Sequence, residues 1–288
     1  MKALITGAEG QLGVELARLM PKAIAAGKST LDITDESLVW TRLTRSSLDV
    51  VFHCAAKTDV DACERDPASA RRVNTIGTRN IATVCGALGI HLIALSTDYV
   101  FDGRTKQDNA EDAAVHPLSV YGKTKLDAEE CVEQLCPSHA IVRTSWLYGS
   151  GPNNFVRRVV DGLSQGTQMG MVVDQISNPT WARDLAPALV GLAQKRMTGI
   201  FHLMNEGAAS RYEWARCIGE LGGFDPGLVH EASSYPALAR RPGRSALRNL
   251  RASHRGLTLR PWQQALAEYM SLDTGIQDML KGSSGAVA

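Results

Sequence analysis

Short, unbroken apolar runs alternate along the first half of the chain with stretches whose apolar residues recur every three or four positions. The runs span Ala3 to Thr6, Ala23 to Ala26, Val50 to Cys54, Leu92 to Ser96 and Ile141 to Thr144. Lacking the in-out alternation of a half-exposed sheet, they read as strands buried on both faces. The intervening stretches predict helices over Gln11 to Met20, Ser37 to Thr44, Pro67 to Leu88 and Ser119 to Leu135, the last stopped by Pro137. Strands and helices in such alternation build an α/β fold with a parallel sheet covered on both sides, here a Rossmann-like doubly wound sheet.

The rhythm changes after Gly149. A Gly/Asn-rich turn covers Ser150 to Asn154, a helix is expected from Phe155 to Leu163, and Asp174 to Thr180 reads as a loop. Gly199-Ile-Phe-His-Leu-Met-Asn205 returns to the pattern of a buried strand. The expected organisation is a larger domain of residues 1–148 and about 180–204, interleaved with a smaller one of about 149–179 and 205–280, before a flexible tail at 281–288.

Chemistry enters at the first strand-to-helix turn. In Thr6-Gly-Ala-Glu-Gly-Gln-Leu-Gly13 the glycines permit a tight turn and close backbone approach, and the following helix offers unpaired N–H groups to a pyrophosphate. The larger domain is therefore expected to bind a dinucleotide through Gly7, Gly10, Gln11, Leu12 and Gly13, with Ala55, Ala56 and Asn74 further along the chain. Where the second strand ends, a carboxylate commonly holds the adenosine ribose; the chain instead reads Ala26-Gly-Lys-Ser29, and Lys28 favours NADPH, with NADH left open. Lys28 reads equally well as a solvated surface residue. Asp32 either reaches the adenine or ribose or, like Thr34 and Asp35, caps the next helix.

Downstream stand Thr97, after the Leu92 to Ser96 strand, and Tyr121 with Lys125, four apart on one helix face. Reducing a ketone takes a hydride at carbon and a proton at oxygen. Tyr121 suits the acid, Thr97 can hold the carbonyl oxygen, and an ammonium within ~4 Å is expected to lower the phenol by about two or three units from its ordinary pKa of about 10. Strand alternation turns Ser96 away from the side that Thr97 faces. A Tyr/Lys pair at this spacing is common on solvated helices; following a glycine turn and a strand-end hydroxyl, in that order, makes it a candidate catalytic site.

Composition narrows the partners. With 31 basic and 30 acidic residues the formal charge is +1, so a nucleic-acid surface is not expected and any phosphate contact is local. No apolar run reaches the ~20 residues that span a bilayer, and Met-Lys-Ala-Leu-Ile-Thr enters a strand with no leader-like pattern. Cys54, Cys63, Cys85, Cys131, Cys136 and Cys217 show no Cys-x-x-Cys spacing, which points to reduced, buried thiols in a cytoplasmic protein.

Ser96-Thr-Asp-Tyr-Val-Phe-Asp-Gly103, followed by Tyr121-Gly-Lys-Thr-Lys125, resembles the extended short-chain dehydrogenase/reductase family and, within it, the dTDP-4-dehydrorhamnose reductases. The resemblance runs to about Leu250, with further matches at Val73-Asn74, Gly77-Thr78, Asn80, Arg143 to Gly149, Asn154 to Val156, Pro179-Thr180 and Asp184 to Ala186. It implies that Thr97, Tyr121 and Lys125 are catalytic, that Lys125 also holds the nicotinamide ribose, and that NADPH reduces the 4-keto group of a dTDP-linked 6-deoxyhexose. It further implies substrate contacts from Asp98, Tyr99, Trp146, Asn154 and Gln175, with Arg241 from the basic segment Arg240 to Arg251. Lys57, Ser177 and Arg244 depart from the residues that relatives carry, and His53 stands where close relatives often have asparagine. A sugar-nucleotide epimerase, or a non-catalytic NADP-binding subunit like that of methionine adenosyltransferase, remains open under the same resemblance. The expected partner is a nucleotide sugar, with a homodimer left open; no membrane and no metal is assigned.

Overall fold

The computed structural model describes residues 1–151, 154–234 and 236–284. All five strands expected in the first half are present: β1 (Ala3–Thr6), β2 (Ile24–Ala26), β3 (Val50–His53), β4 (His91–Thr97) and β5 (His139–Thr144). With Gly199–His202 they form one six-stranded sheet in the order β2-β1-β3-β4-β5 and then Gly199–His202, every pairing parallel. Alternation along the strands sorts the core. Ile5, Phe52 and Val142 pack beneath α1 (Gln11–Leu19) and the later helix Ala182–Gln194, whereas Leu4, Val51 and Ile141 pack beneath α2 (Glu36–Thr44) and the helices that follow β3 and β4.

The long helix expected over Pro67 to Leu88 is broken. After α3 (Val60–Arg65), which its short length hid from the periodicity, α4 (Pro67–Arg71) starts from an Asp66 cap, and a π-helical turn, Arg72–Gly77, precedes α5 (Thr78–Leu88). The wider turn directs polar side chains inward. Asn74 Nδ2 donates to Thr124 Oγ1 at 3.1 Å and Thr75 Oγ1 to Thr124 O at 3.0 Å, tying this stretch to α6 (Val120–Leu135).

A further core lies beyond β5. Tyr148, Trp181, Trp214, Ile218 and Leu266 meet between α7 (Phe155–Ser164), the helix Arg211–Gly222 and the helix Trp262–Leu272. The segment Asp174 to Thr180, expected as a loop, contributes the short strand Ile176–Ser177, paired antiparallel with Ala209–Ser210. The last helix runs Thr274–Ser284, so it extends into the tail expected to be flexible; residues 285–288 lie outside the described residues. All six cysteines are free, with Cys63, Cys85 and Cys136 buried and the other three partly so, which narrows the expected burial.

One buried ion pair pins α6 to the sheet. Arg143 Nη2 on β5 meets Glu129 Oε2 at 2.6 Å, both side chains only 3% exposed, and Ser96 on β4 donates to the same carboxylate. Removing one partner leaves the other charge buried and unpaired. Glu129→Gln should therefore lower unfolding free energy by about 3–5 kcal/mol, read from urea denaturation.

Candidate active site

The carboxyl ends of β1, β3, β4 and β5 open into one cleft of about 890 Å³, where ligands collect in open parallel sheets. At one end it is walled by Gly7, Gly10, Gln11, Leu12 and Gly13, with Lys28 and Asp32 beyond. Gly7 has φ 65°, and a Cβ there would lie 2.7 Å from Ala55 N, so the turn closes on the Ala55-Ala56 wall only as glycine. Behind it, His53 Nδ1 lies 2.7 Å from Thr6 Oγ1 and Nε2 lies 2.9 Å from Thr78 Oγ1. Thr78 donates its own proton to Asn74 O at 2.6 Å, so it accepts from His53 Nε2–H while Thr6 donates to Nδ1. Burial holds this imidazole neutral, its pKa lowered to about 3. His53 and Asn74 thus support the wall from behind: the Asn74 amide accepts from Lys57 N at 2.8 Å and donates to Lys57 O at 3.1 Å.

Asp32 lies at the cleft edge, its Oδ1 accepting from the N–H and hydroxyl of Thr34 at 2.9 and 2.8 Å, bonds that hold its pKa below the ordinary carboxylate value. The helix cap is Asp35, which accepts from Leu38 N at 3.0 Å.

Thr97, Tyr121 and Lys125 all line the cleft. Ser119 caps α6 by accepting from Gly122 N at 3.2 Å, and a Cβ at Gly122 would lie 2.3 Å from Tyr99 O. The glycine lets the helix lie against the turn after β4, which brings Tyr121 near Thr97. Thr97 Oγ1 accepts from Tyr99 N and donates to Asp98 Oδ1, both at 3.2 Å, while Ser96 turns to Glu129 as strand alternation requires.

The expected lowering of the Tyr121 pKa does not occur in the chain by itself. Burial pushes the phenol well above its ordinary value, Thr97 offsetting only part of this, and Lys125 is not among the groups that shift it. The Lys125 ammonium donates instead to Leu95 O at 2.6 Å, and its own burial lowers its pKa to about 8 against the pull of Glu129. Sharing a helix face does not make the ammonium a partner of the phenol, because the carbonyl of Leu95 on β4 takes it.

Asp98 is fully buried and accepts from Ser177 Oγ at 2.8 Å and from Ser245 Oγ; burial raises its pKa. Ser177 therefore acts behind the cleft wall, Arg244 pairs with Asp108 at 2.6 Å, and only Lys57 of the three departures lines the cleft. Tyr99, Gln175 and Arg241 are not among the lining residues; Arg241 binds Asp61 at 3.2 Å and Tyr99 OH at 3.3 Å. Asn154 does line the cleft, but its amide caps α7, accepting from Arg157 N and donating to Gly149 O, Gly151 O and Tyr269 OH.

The far end holds residues that local sequence pattern does not single out as ligand contacts. Arg211 stacks on Trp146 with its guanidinium carbon 3.6 Å from the ring centroid, and Trp214 stacks behind at 5.5 Å. Arg211 forms no salt bridge among the described residues, and burial lowers its pKa to about 10 against the pull of Tyr99 and Asp98. Arg158 and Phe155 line the same end. Trp146 adopts φ 39°, a left-handed conformation that costs roughly 1–2 kcal/mol for a side chain of this kind. The signal for Arg211 was local: Ser210 and Glu213 form a capping box, and the three-residue spacing sets Arg211 and Trp214 on one helix face. Thr144 is likewise not singled out by local pattern; its buried hydroxyl lines the cleft and has no partner among the described residues.

A doubly wound sheet with a glycine turn, a strand-end hydroxyl and a helical Tyr/Lys pair on one cleft defines the extended short-chain dehydrogenase/reductase class. Within that class the chain belongs to the RmlD substrate binding domain family, which it matches over residues 1–274. It is 40% identical over 279 residues to a dTDP-4-dehydrorhamnose reductase of Streptomyces griseus, covering 92% of this chain and 91% of the relative. A solved dTDP-4-dehydrorhamnose reductase of Clostridium acetobutylicum superposes with a TM-score of 0.89 at 37% identity, over 94% of this chain and 99% of that one. The Bacillus anthracis enzyme of the same name, solved in complex with NADP, gives a TM-score of 0.89 at 32% identity, over 93% and 98%.

The contact at Gly122 makes a direct test of how tightly the site is set. Gly122→Ala forces a methyl group against the Tyr99 carbonyl and should cost about 1–3 kcal/mol of stability, read by chemical denaturation. Turnover should fall as well, since Tyr121 is the adjacent residue.

Proposed function

We propose that this chain is an NADPH-dependent reductase acting on the 4-keto group of a dTDP-linked 4-keto-6-deoxyhexose, dTDP-4-dehydrorhamnose or a close analogue. The observation that carries the reading is that Thr97, Tyr121 and Lys125 line one cleft together with a glycine turn and an arginine stacked on tryptophan. Relatives of nearly the same length carry that activity in their names, and one is solved with NADP.

The residues fit a dinucleotide. The Gly7 turn leaves room that a side chain would fill, the first helix opens onto it, and the unpartnered Thr144 hydroxyl is available to a polar group farther along. Bound NADPH supplies the hydride. Gly7, Gly10, Gln11, Leu12, Gly13, Lys28, Ala55 and Ala56 hold it, with Asn74 shaping the wall, and Lys125 grips the ribose next to the nicotinamide.

Tyr121, kept protonated by its burial, donates a proton to the substrate oxygen as charge develops there. Thr97 supplies a second donor, exchanging its 3.2 Å bond to Asp98 for one to the substrate. Arg211, with Arg158 in the same cleft, takes the diphosphate, because a dianion gives the guanidinium a salt bridge that it does not form among the described residues. Trp146 closes the sugar end. Residues 1–148 with about 180–204 form the dinucleotide domain, and about 149–179 with 205–280 the substrate domain. Every assigned role comes from one copy, so the reading does not require the homodimer. No described helix is long and apolar enough to cross a membrane, and the enzyme works in the cytoplasm in this reading.

Loss of NADPH absorbance on adding dTDP-4-keto-6-deoxyhexoses, with one reduced sugar formed per cofactor consumed, tests the proposal. Neither an epimerase nor a non-catalytic subunit consumes the cofactor in that ratio, and no consumption across the panel overturns the reading. Tyr121→Phe should cut kcat by about 10²-fold or more while leaving cofactor affinity nearly unchanged.

The pH profile follows from Lys125. Its cation is present below a pKa of about 8 and is lost as pH rises through that value, so kcat/KM for NADPH should fall above about pH 8. Lys125→Arg, which stays charged, should remove that alkaline limb whatever it does to the plateau.

A further inference from the structure

A buried carboxylate to which the reductase reading gives no task stands one helical turn beyond Lys125. Lys125 is only 4% exposed; its ammonium donates to Leu95 O at 2.6 Å and forms no salt bridge among the described residues. An ammonium carries three donors, so a cation held this way depends on charge nearby. Glu129 lies four residues on, on the same face of α6. The two side chains line one small cavity of about 10 Å³, with Thr78 and Ser96 as the other polar residues around it. That volume is at the lower end of the roughly 10–15 Å³ that a single water needs, so solvent does little to screen one charge from the other.

The other groups that face Lys125 supply no negative charge. At the end of β3, burial keeps His53 neutral and pushes the Cys54 thiol up to about 12; on α6, Tyr121 is held protonated. On β4, Leu95 and Ser96 offer a carbonyl and a hydroxyl, and on α5 Thr78 offers a hydroxyl. Glu129 is the anion that acts on Lys125, and it is shared. Arg143 on β5 donates to it through Nε at 3.0 Å and Nη2 at 2.6 Å, which together with the Ser96 hydroxyl fixes the carboxylate. One anion therefore answers two buried cations, and its loss leaves both without one.

We propose that Glu129 is a positioning residue for the reaction: fixed by Arg143 and Ser96, it holds Lys125 in the cationic form that grips the cofactor ribose. The inference rests on the reductase reading above, which gives Lys125 its task, and adds the group that keeps it charged in a buried site. Arg143 has the opposite influence, because it competes for the same carboxylate.

Side-chain NMR of the chain without cofactor or sugar tests it independently of turnover. The Lys125 ε-carbon resonance, assigned by its loss in Lys125→Arg, should titrate near pH 8. The cation is present below that midpoint and lost above it. Glu129→Gln should move the midpoint down by about one pH unit or more, and Arg143→Met should move it up. Both substitutions break the same ion pair, so shifts of opposite sign do not come from lost stability. If the single variants do not fold, the double variant, which buries neither charge of the pair, should still titrate below the unsubstituted chain. The alkaline limb of kcat/KM for NADPH should follow each midpoint. An unmoved midpoint in Glu129→Gln, shifts of the same sign in the two single variants, a double variant titrating at or above the unsubstituted chain, or an alkaline limb that stays in place overturns the proposal. No NADPH consumption by the unsubstituted chain overturns the reductase reading, and this positioning role with it, whatever the titration gives.

Discussion

Everything at the candidate site depends on how α6 lies on the end of β4. Three contacts set that placement, one per helical turn: Gly122 against Tyr99 O, Lys125 Nζ on Leu95 O, and Glu129 between Ser96 and Arg143. The first permits close approach and the other two fix direction and depth. Without them Tyr121 and Thr97 would belong to separate elements. With them, a phenol and a hydroxyl from different elements line one cleft at the edge where a parallel sheet gathers ligands.

Burial then decides the protonation states. It holds Tyr121 protonated, the useful state for an acid that gives up its proton only as an oxyanion forms, and it lowers Lys125 to about 8, where a bound anion or a ribose hydroxyl can still favour the cation. Arg211 follows the same logic at the far end, a cation held on tryptophan without a salt bridge among the described residues. Charges left without internal partners along a cleft are where a charged ligand contributes most, because it restores what burial removed. The contrast with Arg241 and Arg244 is instructive: both are arginines of the basic segment, and both are already paired with aspartates.

The strands and most helices of the first half were legible because a sheet buried on both faces writes itself as consecutive apolar residues. The π-helical turn was not, since Asn74 and Thr75 face inward for partners on α6 that local pattern cannot reveal. Nor was the pairing of Ile176–Ser177 with Ala209–Ser210, two short segments joined only by tertiary contact. The glycine turn and the Thr97, Tyr121, Lys125 order were readable because each needs a particular residue type at a particular spacing. Arg211 had its local signal in the capping box, but nothing in a sequence says which of many arginines lacks a carboxylate.

By itself the sequence determined the class of fold, the turn that can cradle a phosphate and the residues able to move a proton, because propensity, periodicity and chemical type are properties of neighbouring positions. Only the tertiary structure decided that Lys125 turns to Leu95, that Ser177 supports Asp98, and that Asn154 spends its amide on a helix cap. Those outcomes rest on distances and burial between segments distant in the chain. Desolvation and pairing act through space, and they set which of the candidate groups remain free to meet a ligand.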